Sequence, residues 1–508
     1  MNPRASLPCL MALAALAALA ASRAHGSAGV VFDDRNGDGV RGPGEPGLAS
    51  VAVSNGLDVV LTGPDGAYRV PDRPGARVFV VKPRGWRPPV DAEGLPLFHA
   101  AAVSGAAADF ALRRADEPDA LRVLVLTDPQ PSSAAEIGYL ARGLVDGIGR
   151  RDDVAFGVTL GDIVYDRPDL FHAVNAVLAR VGVPWYSVPG NHDLALGTPG
   201  EAAAVAPFEA VYGPSTYAFH AGPALFVALD DVRPLGGPRY VGGLRDDQLR
   251  FLGNLLAVTP ADEWVVLLVH IPLFAPDPSG AESFRPDDRR RLFGLLGGRR
   301  RALVLSGHTH YQRHVMHGPG DGWNGPEPLH EYNVAAACGG FWGGPPDPGG
   351  VPVATMWDGT PPGYAVLQFA GDRVRLDYVP ARLPADRQIA LHAPVAVAPR
   401  QGYVSFYANV FNGHDGWLVE ARVDDRAWNP VRRILGWDPS YAADFLAQDS
   451  DAHPPARPRL PDPAICYHLW RGMLPADLAP GPHTLFVRAT DPDGRTYSAQ
   501  SALAVVRP

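Results

Sequence analysis

The segment LRVLVLTDPQ, residues 121–130, decides the fold: an apolar run, Leu121–Thr127, ends abruptly on Asp128-Pro129-Gln130. Outward along the chain the same texture recurs at Val154–Leu160, Trp185–Val188, Leu225–Leu229, Trp264–Val269 and Ala302–Leu305. Helix-like stretches such as Ala134–Gly149 and Leu170–Val181 lie between these runs. Strands alternating with helices over this length predict a layered α/β domain. The chain returns to strands at Val366–Phe369 and Val374–Tyr378.

Each strand end carries polar residues that strand packing does not need. Gly161-Asp162 follows the second strand, Gly190-Asn191-His192-Asp193 the third, His270 the run Trp264–Val269, and Gly307-His308-Thr309-His310 the last. In an open α/β sheet, ligands bind beyond the carboxyl ends of strands, where all five clusters fall. A lone Gly-Asp is usually a turn, and a lone strand-end His is usually structural; five clusters in order make one site. Carboxylate oxygens, amide oxygens and imidazole nitrogens together suit Mn, Fe or Zn rather than an all-oxygen Ca or Mg cage.

In these clusters the chain resembles the calcineurin-like metallophosphoesterase superfamily, whose pattern is D-x-H, G-D, G-N-H-[DE], H and G-H-x-H. The resemblance covers about residues 121–380. It implies an α/β fold, a central four-layer α/β/β/α sandwich, here flanked by two small β-sandwich-like domains as in a secreted bacterial branch. Carried over by position, Asp162 bridges two metals; Asp128, Gln130 and His310 complete the first site, and Asn191, His270 and His308 the second. His192 matches the catalytic histidine and Asp193 the acid that orients it. The cofactors implied are two divalent or trivalent ions of Mn, Fe or Zn, and the reaction is attack of a bridging water on a phosphate mono- or diester. Two such ions about 3.5–4 Å apart lower the pKa of that water and clamp the phosphate. Gln130 departs from the pattern, which has His there; an amide oxygen is a harder, weaker donor, which bears on the first metal's identity and occupancy.

Residues 1–24 read as a secretory signal, with Arg4, the apolar run Leu10–Ala21 and the small-x-small site Ser22-Arg23-Ala24. The run is shorter than the ~20 residues a membrane span needs, so cleavage near Ala24 and export to the periplasm or exterior are expected, without a transmembrane anchor in the mature chain. Short runs such as Val30–Phe32, Val51–Ser54, Val59–Leu61 and Val78–Val81, separated by Gly/Pro/Asp/Asn turns, predict a β-sandwich over 29–112. The phosphoesterase domain is expected over 120–382 and a C-terminal β-rich domain over 383–508. Asp34-x-Asn36-x-Asp38-Gly39 with Glu45 fits the calcium-loop spacing, Val40 supplying a carbonyl, so structural calcium is expected there. Ala335–Gly344 and Asp358–Tyr364 resemble the secreted branch, with Phe341 and Trp342 expected as substrate-pocket walls.

Composition narrows the partners. The 508 residues include 56 Gly and 53 Pro, are 46% hydrophobic, and carry a net charge of -9 with one lysine, Lys82. That excludes a polybasic nucleic-acid surface and leaves a small phosphate ester or a phosphorylated macromolecule as the expected substrate. Cys338 and Cys466 fit equally a disulfide or two buried thiols. G-x-S-x-G, G-x-x-x-x-G-K-[ST] and H-E-x-x-H are absent. The alternative function is a non-catalytic or degenerate cell-surface binding protein on a phosphoesterase core; Gln130 favours it, and the His192-Asp193 pair opposes it.

Overall fold

The computed structural model describes residues 26–101, 107–273, 283–400, 402–450 and 459–506. The expected signal segment, 1–24, lies outside the described residues. Among the described residues no helix is long and apolar enough to cross a membrane.

Two sheets form the centre. The first has five strands in the order Trp185–Val188, Phe156–Leu160, Arg122–Leu126, Gly363–Ala370, Arg373–Pro380. Its first three strands run parallel, and Gly363–Ala370 joins them antiparallel. The second has six strands in the order Tyr217–Ala221, Ala224–Ala228, Trp264–Leu268, Ala302–Ser306, Leu329–Asn333, Arg313–His317, with a parallel centre and antiparallel edges. The sheets meet through aromatic rings: Phe156 lies edge-on to Phe219 and Phe226 at 5.2 and 5.1 Å, and Phe226 edge-on to Phe369 at 6.3 Å. Burying each such ring contributes on the order of 2 kcal/mol. Helices close the outer layers and complete an α/β/β/α sandwich.

The stretch expected as one helix over Ala134–Gly149 runs as α-helix Ala134–Leu140, a π-turn Ala141–Val145 and a short α-helical end. Ser133 caps its start by accepting from the Glu136 N–H, and Gly149, at φ +65°, ends it.

Two four-stranded sheets make the N-terminal sandwich. Its core continues into the central one, Phe79 meeting Phe251 at 5.7 Å and Phe98 meeting Tyr217 at 4.9 Å. The single lysine belongs to this join. Lys82 is buried, and its Nζ reaches Glu117 Oε1 at 2.5 Å and His220 O at 2.6 Å.

The C-terminal part builds a separate core around Phe406, Trp470, Leu485 and Val487, between a four-stranded and a five-stranded sheet. A buried polar contact ties it to the centre. Asp358 Oδ2 accepts from His468 Nε2 at 3.0 Å and from the Gln312 N–H at 2.8 Å, two residues past His310. Cys338 and Cys466 are both free and buried, so they are two thiols and not a disulfide.

Candidate metal centre

The strand ends of both sheets deliver their polar residues to one place. Asp128 follows Arg122–Leu126, Asp162 follows Phe156–Leu160, and Asn191 follows Trp185–Val188, all from the first sheet. His270, His308 and His310 follow Trp264–Leu268 and Ala302–Ser306 of the second. Glycines make the approach possible. A Cβ on Gly190 would sit 2.2 Å from Asp162 Oδ1, and one on Gly307 1.7 Å from Thr127 Oγ1. Asp128, Gln130, Asp162, His308 and His310 all have positive φ, between +41° and +73°. Non-glycine residues in that region cost energy and concentrate at functional sites.

The seven side chains form one connected network. Asp162 Oδ1 lies 3.3 Å from His270 Nε2, which also lies 3.2 Å from Asn191 Oδ1 and 3.1 Å from His308 Nδ1. Asp128 Oδ1 lies 3.7 Å from His310 Nε2, and Asp128 Oδ2 accepts from the His308 N–H at 2.9 Å. Gln130 Nε2 donates to Asp162 Oδ2 at 2.6 Å, while its Oε1 accepts from the Cys338 thiol at 3.4 Å. Burial and the neighbouring Asp128 carboxylate push that thiol up, so it keeps its proton. Among the described residues one group of His, Cys, Asp or Glu side chains is close enough to share an ion: Asp162, His270 and His308.

The donor set fits a metal on the evidence of its tautomers. His270 Nδ1 lies 2.8 Å from Leu160 O, a pure acceptor, so Nδ1 carries a proton and the neutral ring has its lone pair on Nε2. That lone pair points at the oxygens of Asp162 and Asn191. His310 repeats the arrangement: Nδ1 donates to Gly339 O at 2.6 Å, leaving Nε2 toward Asp128 Oδ1, a buried oxygen without a hydrogen-bond partner. Converging lone pairs repel unless a proton or a cation lies between them. Burial alone would lower the basicity of His270, but the Asp162 and Asp128 carboxylates outweigh it and raise its pKa to about 10. Burial and the neighbouring His270 push His308 the other way, to about 3. The cluster thus demands positive charge at its centre.

Two expected roles are corrected. Asp193 does not orient His192: its carboxylate turns inward, accepting from the N–H groups of Val164 at 3.1 Å and Gly190 at 2.8 Å. Fully buried beside Asp162, it is pushed up to about 8. The carboxylate on His192 is Asp166, with Oδ1 2.9 Å from Nδ1, and Tyr165 stacks on the ring at 4.1 Å. Trp342 is not a pocket wall either. It is 6% exposed, and its indole N–H donates to Pro129 O at 2.9 Å, because the apolar ring fills the space behind the strand end. Phe341 does line the cavity.

The cavity has a volume of about 770 Å³. Gln130, Asp162, Asn191, His192, His308 and His310 line it, and the C-terminal part contributes Trp437, Asp462 and Tyr467. Sequence reading did not assign these wall residues, nor Asp166, nor Trp357, which stacks on His310 at 5.4 Å. It also passed over Asp231, which accepts from the backbone N–H groups of His270 and Ile271 and so sets that strand end. The available signal for Asp166 was its spacing, four residues past Asp162 across the apolar Ile163-Val164-Tyr165.

In the N-terminal loop, Asp34 accepts from Gly37 and Gly39 N–H at 2.7 and 3.2 Å, and Glu45 accepts from Arg35 and Gly42 N–H at 3.0 and 2.7 Å. Asn36 Nδ2 donates to Asp38 Oδ2 at 2.8 Å, and the Val40 side chain is exposed.

Comparison with known proteins gives three family matches in chain order. They are the N terminal of calcineurin-like phosphoesterase over 35–115, calcineurin-like phosphoesterase over 121–312, and the C terminal of calcineurin-like phosphoesterase over 331–497. The last takes in two strands of the central sheet, Gly363–Ala370 and Arg373–Pro380. Among solved structures, purple acid phosphatase PPD1 from yellow lupin (Lupinus luteus) seeds covers 70% of this chain and 67% of its own, with a TM-score of 0.36 and 13% identity. No curated protein matches this chain in sequence. The three matches leave only the two ends and two short joins uncovered, and the chain belongs to the calcineurin-like phosphoesterase family, with the N- and C-terminal parts that accompany it.

Proposed function

We propose that this metal-dependent phosphoesterase is exported and works at two metal sites that share Asp162, hydrolysing phosphate mono- or diesters. The observation that carries the reading is the pair of fixed tautomers. His270 and His310 each give their Nδ1 proton to a backbone carbonyl and turn Nε2 toward a buried aspartate. Asp128, Gln130, Asp162 and His310 would hold one ion, and Asp162, Asn191, His270 and His308 the other. Bound Mn, Fe or Zn ions supply Lewis acidity, lowering the pKa of water and offsetting phosphate charge.

The chain's own residues do the rest. His192 stands at the cavity edge, held by Asp166 and stacked on Tyr165, where an imidazole can protonate a departing alkoxide. Phe341 and Trp357 wall the floor and limit water around the reacting phosphate. The apolar run at residues 10–21 supports export. The loop Asp34–Glu45 is proposed to hold structural calcium, supported by Gly39 at the sixth position with φ +73° and its N–H on Asp34.

Metal analysis with p-nitrophenyl phosphate and bis-p-nitrophenyl phosphate as substrates tests the catalytic reading. Two equivalents of metal and release of p-nitrophenol from at least one ester are expected, both lost in Asp162→Ala. Two bound equivalents with neither ester hydrolysed would overturn catalysis in favour of a binding protein.

A further inference from the structure

The cavity over the metal centre has two electrostatic ends, and we propose that it selects phosphate esters whose alcohol part carries an ammonium group; this rests on the phosphoesterase reading above. The floor, where His270, His308 and His310 converge on the buried Asp162 and Asp128, would hold the metal ions, and those ions would attract a phosphate. The wall supplied by the C-terminal part is of opposite character. It adds Trp437, Tyr467 and the exposed carboxylate of Asp462, beside Tyr311 and Trp357.

No lysine or arginine lines this cavity among the described residues. A substrate with further phosphates would meet the Asp462 carboxylate, and like charges repel; Arg459, close enough to Asp462 to feel its charge, and Arg313, over Tyr467, do not line the cavity. An ammonium finds the reverse. Aromatic faces attract cations, tryptophan most strongly, and a nearby carboxylate adds to the attraction. Trp437 is 55% exposed and offers an open ring. This wall already makes such a contact, since the Arg313 guanidinium packs 4.0 Å over the Tyr467 ring, itself 6.0 Å from Tyr311. A zwitterion with phosphate at one end and ammonium at the other matches the sequence of charges from floor to rim.

The test compares phosphocholine with 3,3-dimethylbutyl phosphate, the same shape with carbon in place of the charged nitrogen, as inhibitors and calorimetric ligands of the metal-loaded protein. Glycerol 3-phosphate serves as the polar, uncharged-tail control. Phosphocholine is expected to bind about tenfold tighter than either, and the gap to close in Asp462→Asn and narrow in Trp437→Ala. Binding of the dimethylbutyl ester in the same variants reports that they are folded. Equal affinity for the three compounds, or a gap unchanged in Asp462→Asn, overturns the proposal. If p-nitrophenyl esters are hydrolysed but none of the three binds, the proposal fails and the phosphoesterase reading stands. If no phosphate ester is bound or hydrolysed, that reading fails too.

Discussion

His192 takes its carboxylate partner from Asp166, 26 residues earlier, and not from its neighbour Asp193: the Nδ1 to Oδ1 distance is 2.9 Å. The local turn explains this. Residues Asn191–Asp193 form a tight 3-10 turn whose free N–H groups need an acceptor, and the Asp193 carboxylate folds back to fill that role. Its side chain is then committed, and the imidazole is left to the loop after Asp162.

Asp166→Asn is expected to lower kcat about tenfold with metal content unchanged, as loss of a positioning partner of a general acid should. The loss should be larger for alkyl phosphates than for p-nitrophenyl phosphate, whose leaving group needs no proton. Equal losses with both substrates would remove the positioning role.

Gln130→His is expected to tighten the site formed with Asp128 and His310 on the order of tenfold, read by competition with a chelator. The amide oxygen is held by the Cys338 thiol while its N–H faces Asp162, so ligation requires the side chain to rotate. An imidazole nitrogen is a stronger and softer donor to a Mn, Fe or Zn ion than an amide oxygen. Unchanged affinity would show that Gln130 does not limit this site.

Calcium should raise the melting temperature of the full chain and do so less in Asp38→Ala. At about 100 times Kd, a bound ion adds about 2.7 kcal/mol. A calcium response identical in the variant would assign the effect elsewhere.

Stability is expected to fall as the pH drops below about 6.5. His314, His330 and His414 cluster where the central sheet meets the C-terminal part, with His314 Nδ1 2.9 Å from His330 Nε2 and His314 Nε2 2.9 Å from Asn412 Oδ1. Burial, then the neighbouring imidazoles, lowers His314 well below the usual value and His330 to about 3. Burial with the Arg433 charge also lowers His414. The unfolded chain therefore takes up protons between pH 6.5 and 3 that the folded chain refuses, so stability is held above this window and lost on acidification. Each such proton costs about 1.4 kcal/mol per pH unit. Thermal unfolding between pH 7.5 and 5 should show the slope, shallower in His330→Gln; an equal slope in the variant would count against the cluster.

The central strands were legible because their apolar runs are short and bounded by polar clusters, and observed strands such as Phe156–Leu160 and Trp264–Leu268 fall within the expected stretches. The C-terminal helix Pro439–Ser450 was not expected, since it opens on proline amid Pro-rich connections and buries only Tyr441. Trp342 read as a wall because aromatic residues beside glycines resemble a pocket rim; its burial depends on packing over Pro129, which no local pattern reveals.

The sequence by itself determined which residue types stand at the strand ends, since order and spacing along one chain are local properties. Tertiary structure alone decided which nitrogen of His270 and His310 faces the aspartates, which acid meets His192, and that Trp437 and Asp462 wall the cavity. Those are contacts between segments distant in the chain, set by carbonyls such as Leu160 O and Gly339 O and by how two sheets and a C-terminal sandwich pack. Side-chain order along a strand is written in the chain; the direction of a lone pair is written only in its surroundings.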